Sequence, residues 1–230
     1  MARRTKEDAL LTRDQILDAA ERVFQRRGVS RTSLQEIAQE ACVTRGAIYW
    51  HFQNKADLFD AMIARVTLPL VQAFNRMEPE HSDKPLDQLC QRVHSAFAQT
   101  VQNAQLRRVF EIASYKVEYA EDEPVLRDRH LAERALRIAD MQRVLVAAQA
   151  LGQLASNVNA HEAAIGLHAL LDGVLSNWLL DPDAFNLEIT GMRVLRAYLT
   201  GLAVGAAQVG EGRRTRTCSK VRAPRCGSLR

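Results

Sequence analysis

The chain has 230 residues, of which 47% are hydrophobic and 25% are charged, and this is enough for one or two compact domains. Glycine (11) and proline (6) are scarce, which favours helix over sheet. The formal net charge of +4 belongs to residues 213–230, which carry seven basic residues and no acidic one, so it does not by itself indicate a nucleic-acid surface.

Several protein classes can be set aside. No apolar stretch follows the basic N-terminal segment, so it does not look like a secretory signal. The longest apolar stretch is interrupted by His168, Asp172 and Asn177, which argues against a membrane span. The four cysteines form no C-x-x-C pair, the histidines lack zinc spacing, and no nucleotide-binding or nucleophile motif occurs. We therefore expect a cytoplasmic protein that is not an enzyme, with no metal, no cofactor and no membrane partner.

The first helices are marked by capping residues. Thr12 begins a capping box that predicts the start of a helix, and Gly28 stands where that helix should end. A second capping box at Ser33 predicts a short helix. Thr44 predicts a third helix over 45–51, and Asn54 predicts the start of a fourth.

The rest of the chain is also predicted to be helical. Pro69 should kink or end the fourth helix, and a polar break covers residues 78–85. Asp122 or Glu123 and then Asn159 are the expected caps further along. The later helices are predicted over residues 86–103, 105–119, 124–152, 160–180 and 187–205. We find no strand-like alternation, so the predicted fold class is all-α.

The second and third helices have the spacing of a helix-turn-helix, which places its second helix in the major groove of DNA. Ala38 is small where the two helices cross, and Ile37, Val43 and Ile48 supply the core. At these residues the sequence resembles the TetR family of bacterial repressors, through the pattern "ILDAAERVFQRRGVSRTSLQEIAQEACVTRGAIYWHFQNKADLF". "MARRTKE" and "RGAIYWHF" resemble its branch that represses RND-type multidrug efflux pumps.

The resemblance implies an all-helical homodimer with an N-terminal three-helix DNA-binding domain and a larger C-terminal helical ligand-binding and dimerisation domain. The expected ranges are 10–70 for the DNA-binding domain (helix-turn-helix about 33–52), 71–210 for the second domain, and 211–230 for a basic, disordered tail. The implied partners are a palindromic double-stranded DNA operator and a small hydrophobic or drug-like effector. Bound effector would shift the fourth helix and separate the recognition helices from their half-sites.

One residue departs from the family pattern. Glycine is usual in the turn, where this chain has Cys42. A left-handed backbone there would cost a non-glycine residue about 1–2 kcal/mol. Either the turn has another geometry or the cost is tolerated, and a redox role for the thiol is the less favoured alternative.

The predicted DNA contacts divide by chemistry. Arg45 is the candidate for reading guanine, and Gly46 allows the backbone to approach the groove. Tyr49, His51 and Lys55 are expected at sugar and phosphate, while Trp50 could either pack or contact DNA and Phe52 should be buried. The predicted DNA-binding residues are Thr32, Ser33, Thr44, Arg45, Gly46, Tyr49, Trp50, His51 and Lys55.

The effector site is predicted among residues that would also suit any helical core. Asp172 would be expensive to bury alone, so it either has an internal partner or holds a polar group of a ligand. Glu111 and Ser114 are similar candidates. The predicted ligand-binding residues are Phe97, Val101, Phe110, Glu111, Ser114, Val144, Leu171, Asp172, Leu175 and Trp178.

The sequence thus predicts a ligand-responsive repressor, released from its operator by a drug-like molecule and controlling a multidrug efflux operon. One alternative keeps the mechanism but regulates a catabolic or lipid-metabolism operon. Another is a nonspecific or architectural DNA-binding protein that uses the basic tail.

Overall fold

The computed structural model describes residues 6–75, 82–117 and 124–204. Within these ranges the chain forms nine α-helices and no β-strand, which confirms the all-α fold class. The predicted caps Asp122 and Glu123 and the basic tail lie outside the described residues. The helices are α1 (Lys6–Arg27), α2 (Leu34–Glu40), α3 (Arg45–His51), α4 (Lys55–Asn75), α5 (Pro85–Gln102), α6 (Ala104–Tyr115), α7 (Pro124–Ala150), α8 (Ala160–Leu180) and α9 (Leu187–Val204).

Most of the predicted helix starts are confirmed by hydrogen bonds. The Thr44 hydroxyl accepts from the Ala47 amide (3.2 Å) at the start of α3. The Asn54 side chain accepts from the Asp57 amide (2.9 Å) at the start of α4. Asn159 caps α8 by accepting hydrogen bonds from its first-turn amides. These side chains satisfy amides that have no partner within the helix.

One local prediction is wrong. The capping box at Thr12 does not open a helix, since α1 already begins at Lys6. The Thr12 hydroxyl instead donates to the Asp8 carbonyl (2.8 Å), a bond that threonine readily forms inside a helix. Of the two alternatives for Pro69, a kink or an end of α4, the end does not occur, because the helix continues to Asn75.

The turn between α2 and α3 keeps the left-handed geometry that glycine normally supplies. Cys42 has φ +52°, the one positive value on a non-glycine residue in the described ranges. The Val43 amide donates to the Ala38 carbonyl (3.0 Å), which closes α2 in a Schellman motif with Cys42 at the left-handed position. Of the two alternatives for Cys42, the cost is therefore tolerated.

Buried residues form two clusters. The first surrounds α1 to α4 and includes Phe24, Ile37 and Ile48, but it also contains Val109 and Ile112 from α6. The second joins α5, α7, α8 and α9 around Leu145, Leu167 and Leu195. Because α6 contributes to the first cluster and also packs on α5 and α8, it connects the two.

A buried carboxylate strengthens that connection. Glu21 of α1 accepts from Arg108 Nε (2.5 Å) and Gln105 Nε2 (3.0 Å), both on α6. Arg65 of α4 lies 3.5 Å from the same carboxylate. The Glu21 carboxylate thereby joins α1, α4 and α6, which are distant in sequence.

Helix α8 is long and apolar enough to cross a bilayer by length and composition, the one such helix in the described ranges. Core helices of soluble proteins meet the same criterion, and α8 packs against α7 and α9. Only 28% of its apolar segment is buried, however. Much of the apolar surface of α8 is therefore open in a single chain.

We predict that Cys42→Gly raises the free energy of unfolding by about 1 kcal/mol, because removing Cβ relieves the left-handed backbone. The greater chain entropy of glycine in the unfolded state offsets part of this gain. Cys42→Ala keeps Cβ and should leave stability nearly unchanged. Urea denaturation of the three proteins measures the difference, and equal stabilities for the two variants would contradict the prediction.

Candidate functional site

The N-terminus of α2 is held by a complete capping box. The Ser33 hydroxyl accepts from the Glu36 amide (3.3 Å), while the Ser33 amide donates to the Glu36 carboxylate (2.8 Å). These backbone and hydroxyl hydrogen bonds from Ser33, with the charge of Arg27, hold the pKa of Glu36 below its ordinary value. The Glu36 carboxylate of the capping box thus stays ionised at neutral pH, and the capping box fixes the N-terminus of α2, where the helix-turn-helix begins.

Helix α3 divides its side chains between core and solvent. Ile48 is fully buried and Phe52 is 2% exposed, as predicted. Tyr49 is 48% exposed and Trp50 is 72% exposed, and His51 is half-buried with its ring 4.5 Å from that of Trp50. Trp50 is therefore not a core residue. The outer face of α3 presents an unusually large aromatic surface to solvent.

Arg45 and Tyr49 form a unit on this outer face. Arg45 Nη2 donates to the Tyr49 hydroxyl (3.0 Å), and its guanidinium carbon lies 5.4 Å from the centre of the Tyr49 ring. Both side chains are exposed, one helical turn apart. The Tyr49 side chain therefore positions the guanidinium along the helix, and this contact does not pair it with a carboxylate.

Two of the predicted DNA contacts are engaged inside the protein. Thr32 is 2% exposed, and its hydroxyl donates to the Gly28 carbonyl (2.7 Å), so it faces inward. The Lys55 ammonium donates to the Ser30 carbonyl (3.0 Å) and so ties α4 to the segment between α1 and α2. Ser33, Thr44 and Gly46 are exposed along the same region as Arg45.

Six of the ten predicted effector residues belong to the second cluster or pack against it. Phe97, Val144 and Trp178 are buried in the second cluster, and Phe110, Leu171 and Leu175 pack partly buried against it. Val101 is 39% exposed and Ser114 is exposed, while Glu111 is half-buried 3.9 Å from Arg107. Asp172 is exposed, so the predicted problem of a buried, unpartnered carboxylate does not arise.

A groove of about 370 Å³ lies instead between α7 and α8. Helix α7 supplies Arg134, Ala135, Ile138, Ala139 and Gln142, and α8 supplies His161, Ile165, His168 and Ala169. None of these was among the predicted site residues. The sequence pattern that could have predicted this groove is a set of apolar residues one turn apart on each helix, flanked by arginine and histidine. Whether the two sets meet depends on how the two helices pack.

Charged groups surround this groove. Burial is the largest cause that lowers the pKa of His130 and of His168, with Arg137 and Arg134 acting in the same direction. The charge of Asp172 opposes these effects at both rings. Both imidazoles are therefore neutral at pH 7, and the charged side chains that act on them are Arg134, Arg137 and Asp172.

A capped helix, a tight turn and a second helix with an exposed basic and aromatic face define a helix-turn-helix regulator of transcription. Residues 16–62 match the family described as bacterial regulatory proteins, tetR family. Residues 84–203 match the C-terminal region of MAATS-type transcriptional repressors. The chain belongs to the TetR family of transcriptional regulators.

Individual relatives agree with this assignment. The chain is 39% identical over 191 residues to the transcriptional regulator TtgR of Pseudomonas putida, covering 81% of this chain and 89% of TtgR. It superimposes with a TM-score of 0.77, at 35% identity, on NalD, the secondary repressor of the MexAB-OprM multidrug efflux pump in Pseudomonas aeruginosa, covering 86% and 99% of the two chains. The SmeT–triclosan complex gives a TM-score of 0.73 at 34% identity, covering 83% and 91%. SmeT represses the SmeDEF multidrug efflux pump of Stenotrophomonas maltophilia.

We predict that Arg45→Ala weakens binding to the operator by about 1–3 kcal/mol and relaxes the preference for one base pair. Arg45→Lys keeps the charge but cannot form a bidentate bond, so it should lose the base preference while retaining the salt dependence. Fluorescence anisotropy with operator variants, measured at several salt concentrations, tests both. Equal weakening on every DNA sequence would make Arg45 a phosphate contact.

Proposed function

We propose that this chain is a ligand-responsive repressor that binds a palindromic operator as a homodimer and controls a multidrug efflux operon. The observation that carries the proposal is the outer face of α3, where Arg45, Tyr49 and Trp50 are exposed over the buried Ile48 and Phe52. In the free protein this face leaves apolar side-chain surface exposed to water, which is unfavourable. It suits a partner that offers base edges and phosphates. The protein would act in the cytoplasm.

In the proposed complex α3 lies in the major groove. Arg45 and Gly46 on its first turn would approach base edges, and Tyr49 and Trp50 would contact the sugar-phosphate backbone. Ser33 and Thr44, at the N-termini of α2 and α3, stand where helix amides favour phosphate oxygens. Thr32 would support this surface from inside, since its hydroxyl is bonded to Gly28.

Dimerisation is supported by α8 and α9. Leu180 and Ile189 are 73% and 53% exposed on these helices. A Cβ at Gly166 would overlap the Tyr198 side chain, and one at Gly191 would overlap Phe97, so packing within the chain explains these two glycines. A Cβ at Gly173 or Gly201 would meet nothing within 4 Å. Close approach of a second copy would account for the absence of side chains at the latter two.

The connection from ligand to DNA would run through α6 and α4. Helix α6 contacts α8 on one side and α1 and α4 on the other. An effector that prefers a shifted arrangement of these helices would change the spacing of the two recognition helices. That SmeT is solved with triclosan and that NalD represses a multidrug pump supports a drug-like effector and an efflux operon for this chain.

The proposal is tested by footprinting the full chain on the DNA upstream of its own gene, with and without a panel of drugs. We expect protection of a palindrome with half-sites about 34–36 Å apart, and its loss with at least one drug. Protection before a catabolic or lipid-metabolism operon would favour that alternative circuit. Protection regardless of sequence, abolished by removing residues 213–230, would favour the nonspecific DNA-binding protein.

Dimerisation gives a separate prediction. Gly173→Leu should weaken self-association at least about tenfold, because each added side chain overpacks a symmetric contact by about 1–3 kcal/mol. The helix content should remain, since the position is open within one chain. Ala104→Leu, at an exposed position of α6, is the control. Sedimentation equilibrium measures the dissociation constants, and an unchanged value for Gly173→Leu would place the dimer contact elsewhere.

A further inference from the structure

The groove between α7 and α8 has an apolar floor and a cationic rim. Ile138 and Ile165 face it from the two helices, with alanines beside them, and Arg134 and His168 stand at its edge. Its volume of about 370 Å³ falls in the range of small-molecule sites. The floor would accept an aromatic or aliphatic body of moderate size.

Arg134 lines this groove, and Arg137 follows it three residues later on α7, outside the lining. Both differ from other arginines of the same helix. Arg129 forms an ion pair with Asp60, and Arg143 forms one with Asp140. For Arg134 and Arg137, the described part of the chain supplies no ion pair and no hydrogen bond. Both are exposed, and both act electrostatically on His130 and His168.

Two of the charged groups that act on these histidines are therefore cationic and one is a carboxylate. The carboxylate that acts on these histidines is Asp172, and it faces two guanidiniums across the two helices. An unpaired guanidinium beside an apolar surface is complementary to an anion that also carries an apolar body.

We infer that this groove binds an anionic amphiphile, a compact apolar molecule that carries one carboxylate or sulfonate group. Its anionic group lies against Arg134, with the charge of Arg137 close by, and its apolar part lies on Ile138 and Ile165. The inference rests on the proposed function, since it names the chemical class of effector for this regulator.

Two fluorescent probes with the same aromatic scaffold test the inference. 1-Anilinonaphthalene-8-sulfonate carries a sulfonate, and N-phenyl-1-naphthylamine lacks it. In the full chain with both Arg134→Gln and Arg137→Gln, the dissociation constant of the sulfonate probe should rise about tenfold or more, because charge-assisted hydrogen bonds are lost. The neutral probe should change less than about twofold. Arg143→Gln, which removes a paired arginine from the same helix, should leave both probes unaffected.

Three outcomes would overturn the inference. Unchanged affinity for the sulfonate probe would show that the arginines do not bind it, and equal loss of both probes would indicate damage to the groove. Dissociation of the double variant into monomers, together with loss of the probe, would assign the arginines to contact between copies.

The operator supplies an independent measurement. Arginine-dependent binding of the sulfonate probe without release of operator DNA would support the groove as an anion site and contradict the ligand response of the proposed function. Release of operator by neutral drugs alone, with no arginine-dependent probe binding, would support the ligand response of the proposed function and contradict the groove as an anion site.

Discussion

The structure depends on one buried carboxylate. The side chain of Glu21 is 6% exposed, and an ionised group at such a position must be matched by nearby donors. Arg108 and Gln105 of α6 donate hydrogen bonds to it, and Arg65 of α4 places a positive charge 3.5 Å away. Hydrophobic packing between α1, α4 and α6 would tolerate small sliding movements, since it has little directionality. The charge-assisted hydrogen bonds to Glu21 do not tolerate such movements, because each displaced donor leaves part of a buried charge unmatched.

That constraint makes α6 the element that joins the two clusters. Its Val109 and Ile112 belong to the core of the DNA-binding region. Its C-terminal neighbour Lys116 accepts a hydrogen bond from the Val29 amide (2.8 Å), close to the start of α2, and Tyr115 donates to the Ser176 carbonyl of α8. A rearrangement of α8 therefore has a direct connection to the segment that positions the helix-turn-helix. Two discrete arrangements of α6 around Glu21 would suffice for a switch, and no continuous deformation of the core is required.

The features that could be predicted from the sequence are those decided within a few residues. The caps at Ser33, Thr44 and Asn54 depend on local hydrogen bonds. The sequence also placed the turn at Cys42 but left its backbone geometry open between two alternatives. The division of α3 into buried and exposed faces follows from helical periodicity. The start of α1 was missed because Thr12 has two local options, and the sequence does not show which is taken. The partners of Glu21 lie 84 and 87 residues away, and the groove needs two helices to meet, so neither leaves a local pattern.

The arginines of the DNA-binding region show how charge is divided between folding and recognition. Arg22 and Arg26 bind Glu40 (2.8 and 2.6 Å), and Arg27 binds Glu36 (2.6 Å). Hydrogen bonds from Arg22 and Arg26 hold the pKa of Glu40 below its ordinary value, so these pairs persist as pH falls from neutrality and are lost only when the carboxylates protonate. Their charges are neutralised locally and contribute little to the field that DNA meets. Arg45 instead has the Tyr49 hydroxyl and ring as its partner, so its direction is fixed and no carboxylate is paired with it in the described residues.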